Sequence, residues 1–156
     1  MRLGCAGPLR YNLAAGPPLA VAGILTEPFW SVILSTIIIV GLGPGDPGLL
    51  TKAAWDLLGA ADELYARTGQ HPTLASLPAG LVVHTFDALY SRAEDFASVY
   101  RQIAEEVVSL GSRPQGVIYA VPGDPAVGEA TTWLIRDLAA ARGLAVRVLS
   151  GVSFVE

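Results

Sequence analysis

Ile37-Ile38-Ile39-Val40-Gly41-Leu42-Gly43-Pro44-Gly45-Asp46-Pro47 is the stretch that decides the fold. Its β-branched run has no polar face, so a strand made of it must be covered on both sides, as strands are in a parallel sheet. The glycines and prolines that follow end it abruptly. Leu50, Ala54, Leu57, Leu58 and Ala61 then recur at helical spacing. Residues 62–66 read as a short second strand and 81–86 as a clearer third. Between them Gly69, Pro72, Pro78 and Gly80 punctuate a short helix over 73–77.

Phe96, Tyr100, Ile103, Val107 and Leu110 form an amphipathic stripe, opened by the capping candidate Asp95 and closed by Gly111. Residues 116–121 read as a fourth strand. Residues 130–142 read as a helix with Gly143 at its C-terminal cap, and 145–149 as a fifth strand. Alternating strands and helices imply right-handed crossovers. The expected fold is therefore α/β, a mostly parallel five-stranded sheet with helices on both faces.

The chain has 156 residues, of which 52% are hydrophobic and only 15% charged, which supplies a core and excludes disorder over the whole length. A net charge of −4 with no basic run argues against nucleic acid, which is bound through clustered Lys and Arg. Cys5 is the only cysteine, so an internal disulfide and a cysteine zinc cluster are excluded and a reducing, cytoplasmic setting is expected. The apolar run from Val32 to Val40 is short of the roughly 20 residues that span a bilayer, so no membrane association is expected. Arg2 and Arg10 precede an apolar segment like a weak signal peptide, but Pro17-Pro18 interrupts it and no small-x-small cleavage site follows. Residues 1–36 are read as a poorly structured extension, or as a start codon assigned too far upstream. Residues 37–156 are the expected domain. The sequence stops at 151–156, directly after the fifth strand, where further chain and a second domain are expected.

One tetrapeptide occurs twice, as Pro44-Gly45-Asp46-Pro47 and as Pro122-Gly123-Asp124-Pro125. Each copy follows a predicted strand, and the carboxyl ends of parallel strands form the ligand crevice, so the two copies and the turn Ser150-Gly151-Val152-Ser153 should share one edge. Such a tetrapeptide is also ordinary turn chemistry, and a purely structural role stays open. The first loop departs from a dinucleotide fingerprint because Asp46 stands at the third glycine position. Lys52, the only lysine, lies outside any phosphate-binding loop of the G-x-x-x-x-G-K type.

Ile39 to Pro47, Leu49-Leu50-Thr51, Tyr119 to Pro125 and Ser150 to Ser153 together resemble the ordered signatures of the tetrapyrrole (corrin/porphyrin) methylase family. The resemblance covers residues 37–156. It implies the N-terminal half of an S-adenosylmethionine-dependent methyltransferase, whose cofactor lies in the cleft between two α/β domains. It places cofactor contacts on Pro44, Pro122, Gly123, Asp124, Val127, Ser153 and Phe154. It also implies a small-molecule acceptor of the tetrapyrrole kind and a homodimer at full length. Asp124 is the candidate for holding the cofactor's amino or ribose groups. Arg67-Thr68-Gly69-Gln70-His71-Pro72 and Val127-Gly128-Glu129 look most like a subgroup fused ahead of a MazG-type nucleoside triphosphate pyrophosphohydrolase. That similarity brings a second reading, a noncatalytic regulatory or assembly module. A nucleotide-binding domain using the same edge is a third. Uroporphyrinogen methyltransferases carry an acidic residue where this chain has Arg67, and a lysine in the segment that is here 85–91. No catalytic residue is therefore assigned.

His71 and His84 lack a cysteine partner and metal-ligand spacing, so no metal site is expected. His71-Pro72 reads as a loop before a helix, with substrate contact as the alternative, and His84 as a strand residue. Arg67 reads as a solvated strand-end arginine, or as a fork for a substrate carboxylate. Glu94, Asp95, Glu105 and Glu106 are expected on solvated helix surfaces, and Tyr100, Trp55 and Trp133 as core or interface anchors.

Overall fold

A computed structural model describes residues 36–92, 95–153 and 155. Residues 1–35 of the N-terminal extension, Cys5 among them, lie outside the described residues, as do Glu94 and Phe154, while Thr36 already belongs to the first strand.

The strands are β1 (Thr36–Gly41), β2 (Glu63–Ala66), β3 (Val82–Thr85), β4 (Val117–Val121) and β5 (Ala145–Leu149). They form one five-stranded sheet in the order β3-β2-β4-β1-β5, and every pairing is parallel. The β-branched run is thus the inner strand it was read to be, with all six residues of β1 buried. Its alternation feeds two cores, one on each face of the sheet. Ile37 and Ile39 pack with Val117, Tyr119 and Val121 under α3 (Phe96–Gly111) and α4 (Ala130–Ala141). Ile38 and Val40 pack with Leu64 and Ala120 under α1 (Lys52–Ala60), which contributes Ala54, Leu57 and Leu58.

The three longer helices start where the sequence supplies a cap. Thr51 accepts from the Ala54 amide, Asp95 from Ser98 and Glu129 from Thr131. These side-chain oxygens satisfy amides that have no partner within the helix. The turn over Pro72–Ser76 is a 3₁₀ helix, and one more 3₁₀ turn spans Pro47–Leu49. A single-turn helix α2 (Asp87–Tyr90) follows β3.

Three side chains sit elsewhere than the helical spacing suggested. α3 buries Val99, Ile103, Ala104, Val107 and Val108, while Phe96 is 68% exposed. Phe96 is the first residue after the Asp95 cap and stacks sideways between Tyr90 and Tyr100 rather than down onto the sheet. Trp55 and Trp133 are exposed, so neither is a core anchor, and the Arg136 guanidinium lies over the Trp133 ring.

Candidate functional site

The loops leaving β1, β4 and β5 meet at the carboxyl edge of the sheet. β4 and β5 flank β1 on either side, so their loops emerge next to its own. Gly43 and Gly123, one from each repeated tetrapeptide region, form an antiparallel bridge. The Gly43 amide donates to the Gly123 carbonyl at 3.2 Å and the Gly123 amide to the Gly43 carbonyl at 2.8 Å. The third turn closes on this pair from the β5 side. An added Cβ at Gly151 would stand 2.1 Å from the Gly123 carbonyl oxygen, and one at Gly41 would stand 2.6 Å from the Gly151 nitrogen. No side chain fits where three backbones touch, which explains why the sequence places glycine there.

Asp124 staples the same junction. Its Oδ1 accepts from the Ala126 amide at 2.7 Å and its Oδ2 from the Gly151 amide at 3.0 Å. With a protein donor on each oxygen and 8% exposure, Asp124 fixes the β4 loop against the β5 loop. Asp46 does more local work, accepting from the Gly48 amide at the start of its 3₁₀ turn. Pro44 and Val127 are exposed at this edge, Pro122 and Ser153 are half-buried, and Gly123 is buried beneath them. Except for Phe154, which is not described, the residues implied by the resemblance thus belong to the three loops that converge there.

His71 and Thr73 hang the 72–76 turn beneath the first loop. The Thr73 hydroxyl donates to the Leu42 carbonyl at 3.3 Å, and His71 Nε2 lies 3.0 Å from the Gly43 carbonyl oxygen. A carbonyl only accepts, so His71 carries its proton on Nε2, and its buried Nδ1 is left without a partner. Burial lowers the His71 pKa below the ordinary 6.5; the Gly43 bond opposes this and the Arg67 charge adds to it. The unfolded chain consequently binds the proton more readily than the folded one. Stability should be full above pH 6.5 and fall as pH drops below it, levelling off once the folded state is protonated too. Chemical denaturation of the wild type and His71→Gln at stepped pH checks this. The variant should lose the dependence in that window.

Beside the loops lies a buried ion pair between distant segments. Arg67, just past β2, donates through Nη1 to Glu129 Oε2, and the Glu129 side chain is only 3% exposed. Glu129 Oε1 accepts from the Thr131 hydroxyl at 2.6 Å and from its amide. With that proton committed, the Tyr119 hydroxyl must be the donor to Thr131 Oγ1. Burial pushes the Tyr119 phenol far above its ordinary range, so it stays protonated. Arg67 is therefore neither a free solvated arginine nor an unengaged anion fork. The sequence reading did not single out Glu129, and its partner is 62 residues away.

His84 lies on β3 as expected, stacked on Tyr65. Among the described residues no group of His, Cys, Asp and Glu is arranged to hold a metal ion. Nor is any helix among the described residues long and apolar enough to cross a membrane.

The family model for Tetrapyrrole (Corrin/Porphyrin) Methylases matches residues 36–156. The chain belongs to the tetrapyrrole methylase family. The YabN protein of Bacillus subtilis (strain 168) is 37% identical over 121 residues, a match covering 77% of this chain and 24% of YabN. The siroheme synthase of Stutzerimonas stutzeri (strain A1501) is 30% identical over 153 residues, covering 94% and 32%. This methylase-family chain thus spans between about a quarter and a third of the curated relatives it matches. Among solved structures, uroporphyrin-III C-methyltransferase from Thermus thermophilus, crystallised with S-adenosylhomocysteine, is 28% identical. It superposes with a TM-score of 0.51 over 76% of this chain and 45% of that one. A cobalt-precorrin-4 methyltransferase at 23% identity and a TM-score of 0.53, covering 78% and 47%, shares the fold.

Proposed function

We propose that this domain supplies the N-terminal half of an S-adenosylmethionine-dependent methyltransferase acting on a small molecule. The convergence of the β1, β4 and β5 loops, backbone against backbone at one sheet edge, carries this reading. The matching methyltransferases support it.

The residues present suit the cofactor. Asp46 and Asp124 belong to these loops, Lys52 is paired with Asp56, Glu129 with Arg67, and burial disfavours the charged form of His71, so the excess charge is negative and a cationic sulfonium meets a favourable field. When bound, S-adenosylmethionine supplies an electrophilic methyl group. Pro44, Pro122, Val127, Ser153 and Phe154 would line its site over a floor formed by Gly123. Asp124 would act by holding that floor in shape, since its oxygens already have protein donors. In-line displacement depends on how the reactants are positioned, and a rigid floor provides that. A second domain would supply the opposite wall. Cytoplasmic location and a homodimer complete the proposal.

Asp124→Ala removes the acceptor for two amides, at about 2 kcal/mol for each charge-assisted bond. Titration calorimetry on the full-length protein should show cofactor affinity weakened by about tenfold or more while the protein still melts cooperatively. Unchanged affinity would remove Asp124 from the site.

A second reading rests on Arg67 and Glu129. The position that is acidic in uroporphyrinogen methyltransferases is here an arginine committed to a buried carboxylate, which suits a noncatalytic module in a pyrophosphohydrolase fusion. Failure of the folded full-length protein to bind S-adenosylmethionine would favour it. Preferential binding of a nucleotide would favour a nucleotide-binding domain instead. The tetrapyrrole class is the first acceptor to test.

A further inference from the structure

The Thr51 hydroxyl makes two hydrogen bonds. Its Oγ1 accepts from the Ala54 amide at 3.2 Å, which caps α1, and donates to the Ser150 carbonyl oxygen at 3.3 Å, 99 residues further along the chain. Capping alone requires an acceptor, which Asp or Asn would supply as well. A hydroxyl adds a donor, and the donor is the part that reaches the β5 loop.

Ser150 and Gly151 share the peptide unit at which β5 becomes that loop. The register with β1 ends just before it, at Val40 opposite Leu149. The carbonyl of the unit belongs to Ser150 and accepts from Thr51, while its N–H belongs to Gly151 and donates to Asp124 Oδ2 at 3.0 Å. In a trans peptide these two groups point in opposite directions, so Thr51 and Asp124 hold the unit from opposite ends. The close backbone contacts at Gly151 fix where the loop runs, and the two hydrogen bonds fix which way its first peptide faces.

The Thr51 bond also completes a ring of ties around the site. Gly43 and Gly123 join the β1 and β4 loops, Asp124 joins the β4 and β5 loops, and Thr51 joins the segment leaving β1 to the β5 loop. Val152 and Ser153 follow directly on the held peptide.

We propose that Thr51 is a positioning residue: its hydroxyl sets the orientation of the Ser150–Gly151 peptide and so presents Val152 and Ser153 to the cofactor. The effect on the cofactor rests on the methyltransferase reading above. The hold on the peptide does not.

Thr51→Asp and Thr51→Gly keep a residue suited to the cap and lack the donor, whereas Thr51→Ser keeps both. Amide hydrogen exchange on the isotope-labelled full-length protein reads the peptide directly. Gly151 should exchange about three- to tenfold faster in the Asp and Gly variants, with Leu57 and Leu58 of α1 unchanged. Calorimetry with S-adenosylhomocysteine, whose sulfur carries no charge for the new carboxylate to attract, should show affinity weakened by about three- to tenfold in the same two variants. Thr51→Ser should match the wild type in both measurements. If Thr51→Asp does not melt cooperatively, Thr51→Gly decides. Unchanged Gly151 exchange in the donor-less variants, or a Thr51→Ser variant as impaired as they are, would overturn the proposal. Faster exchange with undiminished affinity would overturn the role of Thr51 at the cofactor. A folded wild type that binds no S-adenosylhomocysteine, with Gly151 exchange still responding to Thr51, would remove the methyltransferase reading and keep the hold on the peptide.

Discussion

Gly151→Ala is expected to cost about 3 kcal/mol or more, by the mechanism of overpacking at a site that cannot expand. The new methyl would stand 2.1 Å from the Gly123 carbonyl oxygen and 2.9 Å from the Gly41 carbonyl carbon. These neighbours are backbone atoms of loops tied to strands, so no rotamer change relieves the contact. The β5 loop has to move away from the β4 loop, which breaks the 3.0 Å bond from the Gly151 amide to Asp124 as well. Thermal melting should show a drop of about 10 °C or more, and cofactor affinity should fall with it. Gly59→Ala is the matched control. Gly59 lies within α1, and an added Cβ meets nothing within 4 Å, so the same substitution should stabilise by about 0.5–1 kcal/mol. Two glycine-to-alanine changes of opposite sign separate close backbone approach from a general intolerance of substitution.

The Arg67–Glu129 pair gives the second large effect. Breaking a buried ion pair by removing one partner costs about 3–5 kcal/mol, because the remaining charge is left without compensation. Arg67→Ala should reach that range, since it strands a carboxylate that is 3% exposed. Glu129→Ala strands a guanidinium that is 25% exposed and able to reach water, so that part should cost less. It also removes the N-terminal cap of α4, about 1 kcal/mol. In urea denaturation of the two single variants and the double, the double should be less destabilised than the sum of the singles by about 1–3 kcal/mol. Additive losses would show that the two side chains do not depend on each other.

The strands were legible because Ile37 to Val40 and Val117 to Val121 carry their burial in composition alone. A strand covered on both faces has no alternation to misread. The repeated tetrapeptide and the Ser150–Ser153 turn were legible as one edge because parallel topology fixes where strand ends lie. Helix α2 was not, since four residues contain too little periodicity to signal a helix. The stripe on α3 was read out of phase at its start. Phe96 fits the helical spacing, but the first turn projects past the sheet, where Tyr90 and Tyr100 are its neighbours. Glu129 stood out in the sequence only as part of the Val127-Gly128-Glu129 turn. Its pairing with Arg67 depends on how the β2 and β4 loops come together, which no local pattern encodes. Asp124 was legible as a candidate cofactor contact, but its bond from the Gly151 amide was not, because only the fold brings that loop near.

Titration calorimetry of S-adenosylmethionine into the full-length wild type, Gly59→Ala and Gly151→Ala tests the central claim most directly. Saturable binding is predicted for the wild type and Gly59→Ala, and its loss or severe weakening for Gly151→Ala. Absence of binding to a wild-type protein that melts cooperatively, or undiminished binding to Gly151→Ala, would contradict the proposal that the converging glycine loops form the cofactor floor.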